Sequence, residues 1–139
     1  IVAADTSKFG IPEVKRGLAA AAGGLVRLPR QIPSRLAMEL ALTGEFVSAQ
    51  RAYEMGLINR VVAGGTALDE AKSLAATICA NGPLAVRTSK QVVVESAEWS
   101  ADEVWQKQGE LVMPVFTSED AIEGATAFAE KRAPNWKAK

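Results

Sequence analysis

The chain has 139 residues, 48% of them hydrophobic and 23% charged, and its 16 basic and 16 acidic side chains cancel to zero net charge. This is the composition of a folded globular domain, not of a disordered tail, and it gives no basic field to hold nucleic acid or an anionic membrane. It contains no histidine and one cysteine, Cys79. Ser-His-Asp and Cys-His catalysis are thereby excluded within the chain, as are His-based zinc and iron sites, so no metal is expected. A lone cysteine cannot close a disulfide inside the chain, and a reducing, cytoplasmic setting is expected. No apolar run approaches the length of a membrane span, so no membrane partner is expected either. Acid–base chemistry must fall to carboxylates, Lys, Tyr53 or Cys79.

Ile1-Val2-Ala3-Ala4, bounded by Asp5-Thr6-Ser7, reads as the end of a buried strand. Phe9–Val14 reads as a short extended piece and a turn. Ala19–Ala22 has strong helix propensity and is expected to open a helix across Gly23-Gly24 to Arg30, with Pro29 kinking or restarting it. Pro33 falls in the first turn of the next helix, whose stripe is Leu36, Ala37 and Leu40 and which Thr43-Gly44 closes. Ser48 caps a short helix ending at Gly56, and Leu57–Val62 reads as a strand. Ala63-Gly64-Gly65 is the expected boundary, dividing residues 1–64 from a helical part, residues 65–139.

In that helical part Thr66-x-x-Asp69 resembles a capping box opening Leu68–Cys79, with Cys79 on the apolar side as a small core residue. Asn81-Gly82 ends this helix and Pro83 opens Pro83–Ser96. Ser100-x-x-Glu103 is a capping box for a helix to about Val112, and Pro114 interrupts any continuation. Thr117 or Ser118 caps the last helix, which runs through about Glu130 before Pro134. Trp105 and Phe116 are expected in a core or an interface. Val92–Val94 is apolar in three consecutive positions, which one helix cannot turn inward together, so an interface between copies is expected.

Glu13 is the residue with a chemical reading. It ends Ser7-Lys8-Phe9-Gly10-Ile11-Pro12-Glu13, and a small-residue run ending in Gly23-Gly24 follows. Proline fixes φ just before the carboxylate, and the glycines let the backbone pass close to another group. Taken alone, the segment fits a solvated glutamate after a turn proline better than a catalytic one.

The later blocks reverse that balance. Glu39-Leu40-Ala41-Leu42-Thr43-Gly44 leads to Ser48-Ala49-Gln50-Arg51-Ala52, then to Met55-Gly56-Leu57-Ile58-Asn59-Arg60-Val61-Val62. The chain closes on Glu123-Gly124-Ala125-Thr126-Ala127-Phe128-Ala129-Glu130-Lys131-Arg132, with Asn135-Trp136 behind. With Phe9-Gly10-Ile11-Pro12-Glu13 and Gly23-Gly24, these blocks in this order resemble the enoyl-CoA hydratase/isomerase (crotonase) family over essentially the whole chain.

The resemblance implies an α/β fold: the end of a crotonase-like spiral of strand-strand-helix turns, followed by a helical trimerisation region. It implies that this is the C-terminal half of such a chain, with the N-terminal half missing before Ile1. The implied activity is a lyase, an enoyl-CoA hydratase of fatty-acid degradation, adding water to a 2-enoyl-CoA thioester. This segment alone is expected to be inactive. An isomerase that shifts the double bond, or a crotonase-like assembly protein without chemistry, stays open. The resemblance implies no cofactor, since coenzyme A belongs to the acyl-CoA substrate. It implies Glu13 as the catalytic base or proton donor and the Ala21 N–H as a group that helps position the water. Where the family is often Gly-rich with Pro, this chain reads Ala19-Ala20-Ala21-Ala22. Phe128 and Lys131, one helical turn apart, are implied to reach coenzyme A on a neighbouring subunit of a homotrimer or a dimer of trimers.

Overall fold

Val2, Ala3 and Ala4 pair in parallel with Arg60, Val61 and Val62 in the computed structural model, which describes residues 1–139. Parallel neighbours need a crossover. Here β1 (Val2–Ala4) and β4 (Arg60–Val62) are separated by every element of the first half. The ladder is prolonged by the Asn59 N–H donating to the Ile1 carbonyl and the Asp5 N–H to that of Val62. A second, antiparallel pair joins β2 (Lys8–Phe9) to β3 (Val47–Ser48), with Lys8 opposite Ser48 and Phe9 opposite Val47.

Three helices fill the crossover: α1 (Gly24–Gln31), α2 (Ser34–Thr43) and α3 (Ala49–Glu54). The Ser48 hydroxyl accepts the Arg51 N–H and starts α3, while Gly44 in the left-handed region stops α2, both as the turn chemistry predicts. The core is built from small residues. Ala3, Ala49, Ala52 and Ile58 bury one cluster, flanked by Phe9, Val47, Leu57 and Val61. Ile32, Ala37, Leu40 and Met55 bury the other, flanked by Ile11, Leu28 and Leu36. Alanines on α3 allow its backbone to lie close against the strands.

The chain divides into two compact units, Ile1–Leu74 and Ala75–Lys139. α4 (Ala67–Cys79) runs up to and past that division. The second unit holds α5 (Pro83–Glu95), α6 (Val104–Phe116) and α7 (Glu119–Glu130), with α5 against α6 and α6 against α7. Asn81 Nδ2 donates to the Thr77 carbonyl at 2.9 Å and closes α4. The Ser118 hydroxyl accepts the Ala121 N–H and opens α7.

Several expectations need correction. Ala19–Ala22 is not helical: α1 begins only at Gly24, because Gly23 turns the chain at φ 100° and breaks the helical path. The strand expected from Leu57 begins at Arg60, because Gly56 is left-handed and Ile58 turns into the core. Pro114 lies inside α6, which runs to Phe116; the lost bond falls on the carbonyl of exposed Glu110, which water can reach. Cys79 is exposed, not a core residue, since α4 buries none of its side chains. Of the two places expected for Trp105 and Phe116, a core or an interface, their 75% and 69% exposure removes only the core.

Candidate active site

Glu13 sits on a one-turn 3₁₀ helix, Pro12–Arg16, with Pro12 supplying its pre-set φ and Gly17 ending it in the left-handed region. Two close approaches fix this turn. Before it, a Cβ on Gly10 would stand 3.0 Å from both the Glu45 carbonyl oxygen and the Phe46 ring. Behind it, a Cβ on Gly44 would stand 3.0 Å from Val14 Cγ2. Lys15 Nζ reaches Glu45 Oε1 at 2.6 Å across the same seam. Such an exposed pair contributes about 0–1 kcal/mol, so it orients the turn more than it stabilises it. Ile11, one residue before Pro12, packs on the second core cluster and anchors the segment.

The carboxylate so placed is unusual. Glu13 Oε2 is buried and has no hydrogen-bond partner in the chain. Buried polar atoms are nearly always paired, and an unpaired one costs about 1–3 kcal/mol. A buried acceptor that the chain leaves unpaired is suited to bind a water or to take part in proton transfer. The Ala21 N–H, the other group expected near the chemistry, donates to the Ala19 carbonyl at 2.8 Å in a three-residue turn, and Ala21 is exposed. No group of three or more His, Cys, Asp or Glu side chains is arranged to hold a metal ion. No helix is long and apolar enough to cross a membrane.

In the second unit Phe128 is 87% exposed, near the end of α7. Lys131 is not on the helix. It is the left-handed cap at φ 54°, ψ 38°, so the one-turn spacing does not by itself put it on the face of Phe128. The chain after it returns along α7. Arg132 grips Glu123 with two nitrogens, at 2.6 and 3.0 Å, and Glu130 with a third at 2.6 Å. The Asn135 N–H donates to Glu123 at 2.7 Å. The Arg132 guanidinium, then the Asn135 N–H, hold the Glu123 carboxyl down at about 2. The Lys137 and Ala138 N–H groups donate to the buried Asp120 carboxylate, and the Trp136 indole N–H donates to the Ala80 carbonyl at 2.9 Å.

A sequence profile described as enoyl-CoA hydratase/isomerase matches residues 1–139, the whole chain. The chain belongs to the enoyl-CoA hydratase/isomerase family. Enoyl-CoA hydratase EchA19 of Mycobacterium tuberculosis is 47% identical over 135 residues, covering 97% of this chain and 51% of that protein. Carnitinyl-CoA dehydratase of Proteus mirabilis is 38% identical over 141 residues, covering 99% and 54%. Among solved structures, an enoyl-CoA hydratase of Mycobacterium tuberculosis superposes with a TM-score of 0.93 at 56% identity, covering 99% of this chain and 55% of that one. A probable enoyl-CoA hydratase/isomerase of Mycobacterium abscessus does so with a TM-score of 0.89 at 62% identity, again covering 99% and 55%. These neighbours establish the crotonase-like fold for this member of the family. The chain spans about half the length of the curated relatives it matches.

The turn that carries Glu13 was legible in the sequence through the Phe-Gly-Ile-Pro-Glu block. The Glu123–Arg132 grip was not. Those residues are nine apart, outside helical spacing, and meet only because the chain reverses at Lys131.

Proposed function

We propose that this chain supplies the carboxylate-bearing half of an enoyl-CoA hydratase acting in fatty-acid degradation, a hydro-lyase that adds water reversibly to a 2-enoyl-CoA thioester. The observation that carries the reading is the buried, unpartnered Oε2 of Glu13 on a turn fixed from both sides. The names of the relatives, hydratase and dehydratase, support reversible addition of water to a coenzyme A thioester.

In this reading the water stands against Glu13. One hydrogen of the water goes to the carbon next to the thioester carbonyl and the hydroxyl to the carbon beyond it. Glu13 handles the proton between them, as base on the water or as donor to carbon. The Ala21 N–H gives the water its second contact, turning from the Ala19 carbonyl. Negative charge develops on the thioester oxygen and needs preorganised donors. No residue of this chain is assigned that task; an N-terminal half supplies it, along with a second carboxylate. These 139 residues alone are therefore inactive. No cofactor is required, because coenzyme A arrives with the substrate. Residues 65–139 form an assembly region, and the complete enzyme is a cytoplasmic homotrimer or dimer of trimers. Phe128 packs on the adenine of coenzyme A bound to a neighbouring copy, and Lys131 pairs with one of its phosphates.

The test is Glu13→Gln in the complete enzyme, with hydration of a short enoyl-CoA followed by loss of conjugated absorbance. The rate should fall by roughly 10²–10⁴, the worth of general acid–base catalysis, while coenzyme A ester binding stays. A near-native rate would return Glu13 to an ordinary turn residue. A double-bond shift that survives while hydration is absent in the unmodified enzyme would make it an isomerase.

A further inference from the structure

We infer that Arg132 is a positioning residue for Lys131: by gripping Glu123 and Glu130 it locks the left-handed cap from which the Lys131 side chain leaves α7, and it does not itself bind coenzyme A. The inference rests on the proposed contact between Lys131 and a coenzyme A phosphate.

A lysine at φ 54° adopts a conformation that residues other than glycine avoid, and it persists only where the surroundings over-determine it. Here they do. On one side the Lys131 N–H donates to the Phe128 carbonyl at 3.3 Å; on the other the Arg132 N–H donates to the Ala127 carbonyl at 3.0 Å. The Arg132 side chain then folds back across the cap. Its Nη1 and Nη2 take both oxygens of Glu123, at 2.6 and 3.0 Å, and its Nε takes Glu130 at 2.6 Å. Nη1 also donates to the Ala133 carbonyl at 3.2 Å.

This arrangement sorts the two adjacent cations. The planar fork of Arg132 is occupied by two carboxylates, whose combined charge exceeds its own and would repel a phosphate. Lys131 is exposed, and its ammonium takes part in none of the chain's ion pairs. The free cation is therefore presented and the paired one holds it. The lock is tied in turn to the rest of the tail, since Glu123 Oε1 also accepts the Asn135 N–H at 2.7 Å.

The experiment uses the complete enzyme and coenzyme A itself, titrated by calorimetry, with KM and kcat for an enoyl-CoA measured in parallel. The variants are Lys131→Ala, Glu123→Gln, Arg132→Lys and the double Glu123→Gln/Lys131→Ala. Glu123→Gln and Arg132→Lys should each weaken coenzyme A and raise KM by roughly threefold to tenfold, with kcat kept, as expected when one rotamer-rich side chain must be ordered on binding. The double variant should bind no worse than Lys131→Ala, because a lock without its lysine has nothing to position. Trypsin should cut after Lys131 faster in Glu123→Gln. Faster cutting with unchanged coenzyme A affinity overturns the positioning role. Tighter binding in Glu123→Gln also overturns it, because it would make the released Arg132 a phosphate ligand. Unchanged affinity in Lys131→Ala sinks the underlying coenzyme contact itself, leaving the Glu13 chemistry untouched.

Discussion

Gly44 and Val14 meet so closely that a single added methyl would bring them to 3.0 Å, and this contact seats the Glu13 turn against the end of α2. Gly44 is also left-handed, at φ 62°, so two independent constraints fall on one residue. Gly44→Ala adds backbone strain of about 1–2 kcal/mol and pushes on Val14 and Lys15. The expected loss is about 1–3 kcal/mol in urea unfolding, with a fall in hydration rate larger than any loss of coenzyme A affinity, since Glu13 rides on the displaced turn. A variant within 0.5 kcal/mol of wild type, on the ordinary scale of surface substitutions, would show that the seam is slack.

The tail of α7 should respond to acid in a defined window. The Arg132 guanidinium and the Asn135 N–H lower the Glu123 carboxyl from its ordinary 4.5 to about 2. A depressed pKa means that the folded form favours the carboxylate. The stabilisation is complete above about pH 4.5 and is lost as the pH falls through about 2. The Asn135 amide, which donates to Glu123, should titrate in NMR with a midpoint near 2, and Glu123→Gln should abolish the titration. A midpoint at the ordinary carboxylate value would mean that the grip is open in solution.

The proposed interface between copies is open to a direct check. Val92 is half-buried, while Val93 and Val94 stand 75% and 63% exposed beside Glu95. Apolar surface of this kind is covered in a symmetric assembly. Light scattering of the complete protein should give three or six copies. Val93→Glu/Val94→Glu should reduce that mass at least threefold, by placing two uncompensated charges in the contact. An unmodified protein of monomeric mass would refute the assembly.

Local signals were readable where one residue decides a backbone state. The Ser48 and Ser118 caps and the Gly44 stop lie where their chemistry demands. Ala19–Ala22 was misread because helix propensity is weak beside Gly23, which is free to take φ 100° and breaks the helical path there. Pro114 was misread because a proline costs a helix one hydrogen bond without always ending it. The Pro-Glu block pointed to Glu13, but the burial of its Oε2 without a partner in the chain is set by tertiary packing, which no local pattern spells out.

The parallel pairing of β1 with β4 sets an order of assembly in time. Val2 finds Arg60 only after the whole segment between them has become compact. α2 and α3 need partners a few residues away, whereas the strand pair must close one long loop, which is entropically unfavourable until other contacts exist. The helices therefore form first and the strands close last. Val61→Ala should accelerate unfolding and leave the folding rate nearly unchanged; a folding rate slowed in proportion to the lost stability would reverse the order. The Glu13 turn lies inside that loop but rests on the end of α2, so it is seated together with the helices, and the closing of the strand pair secures a turn already in place.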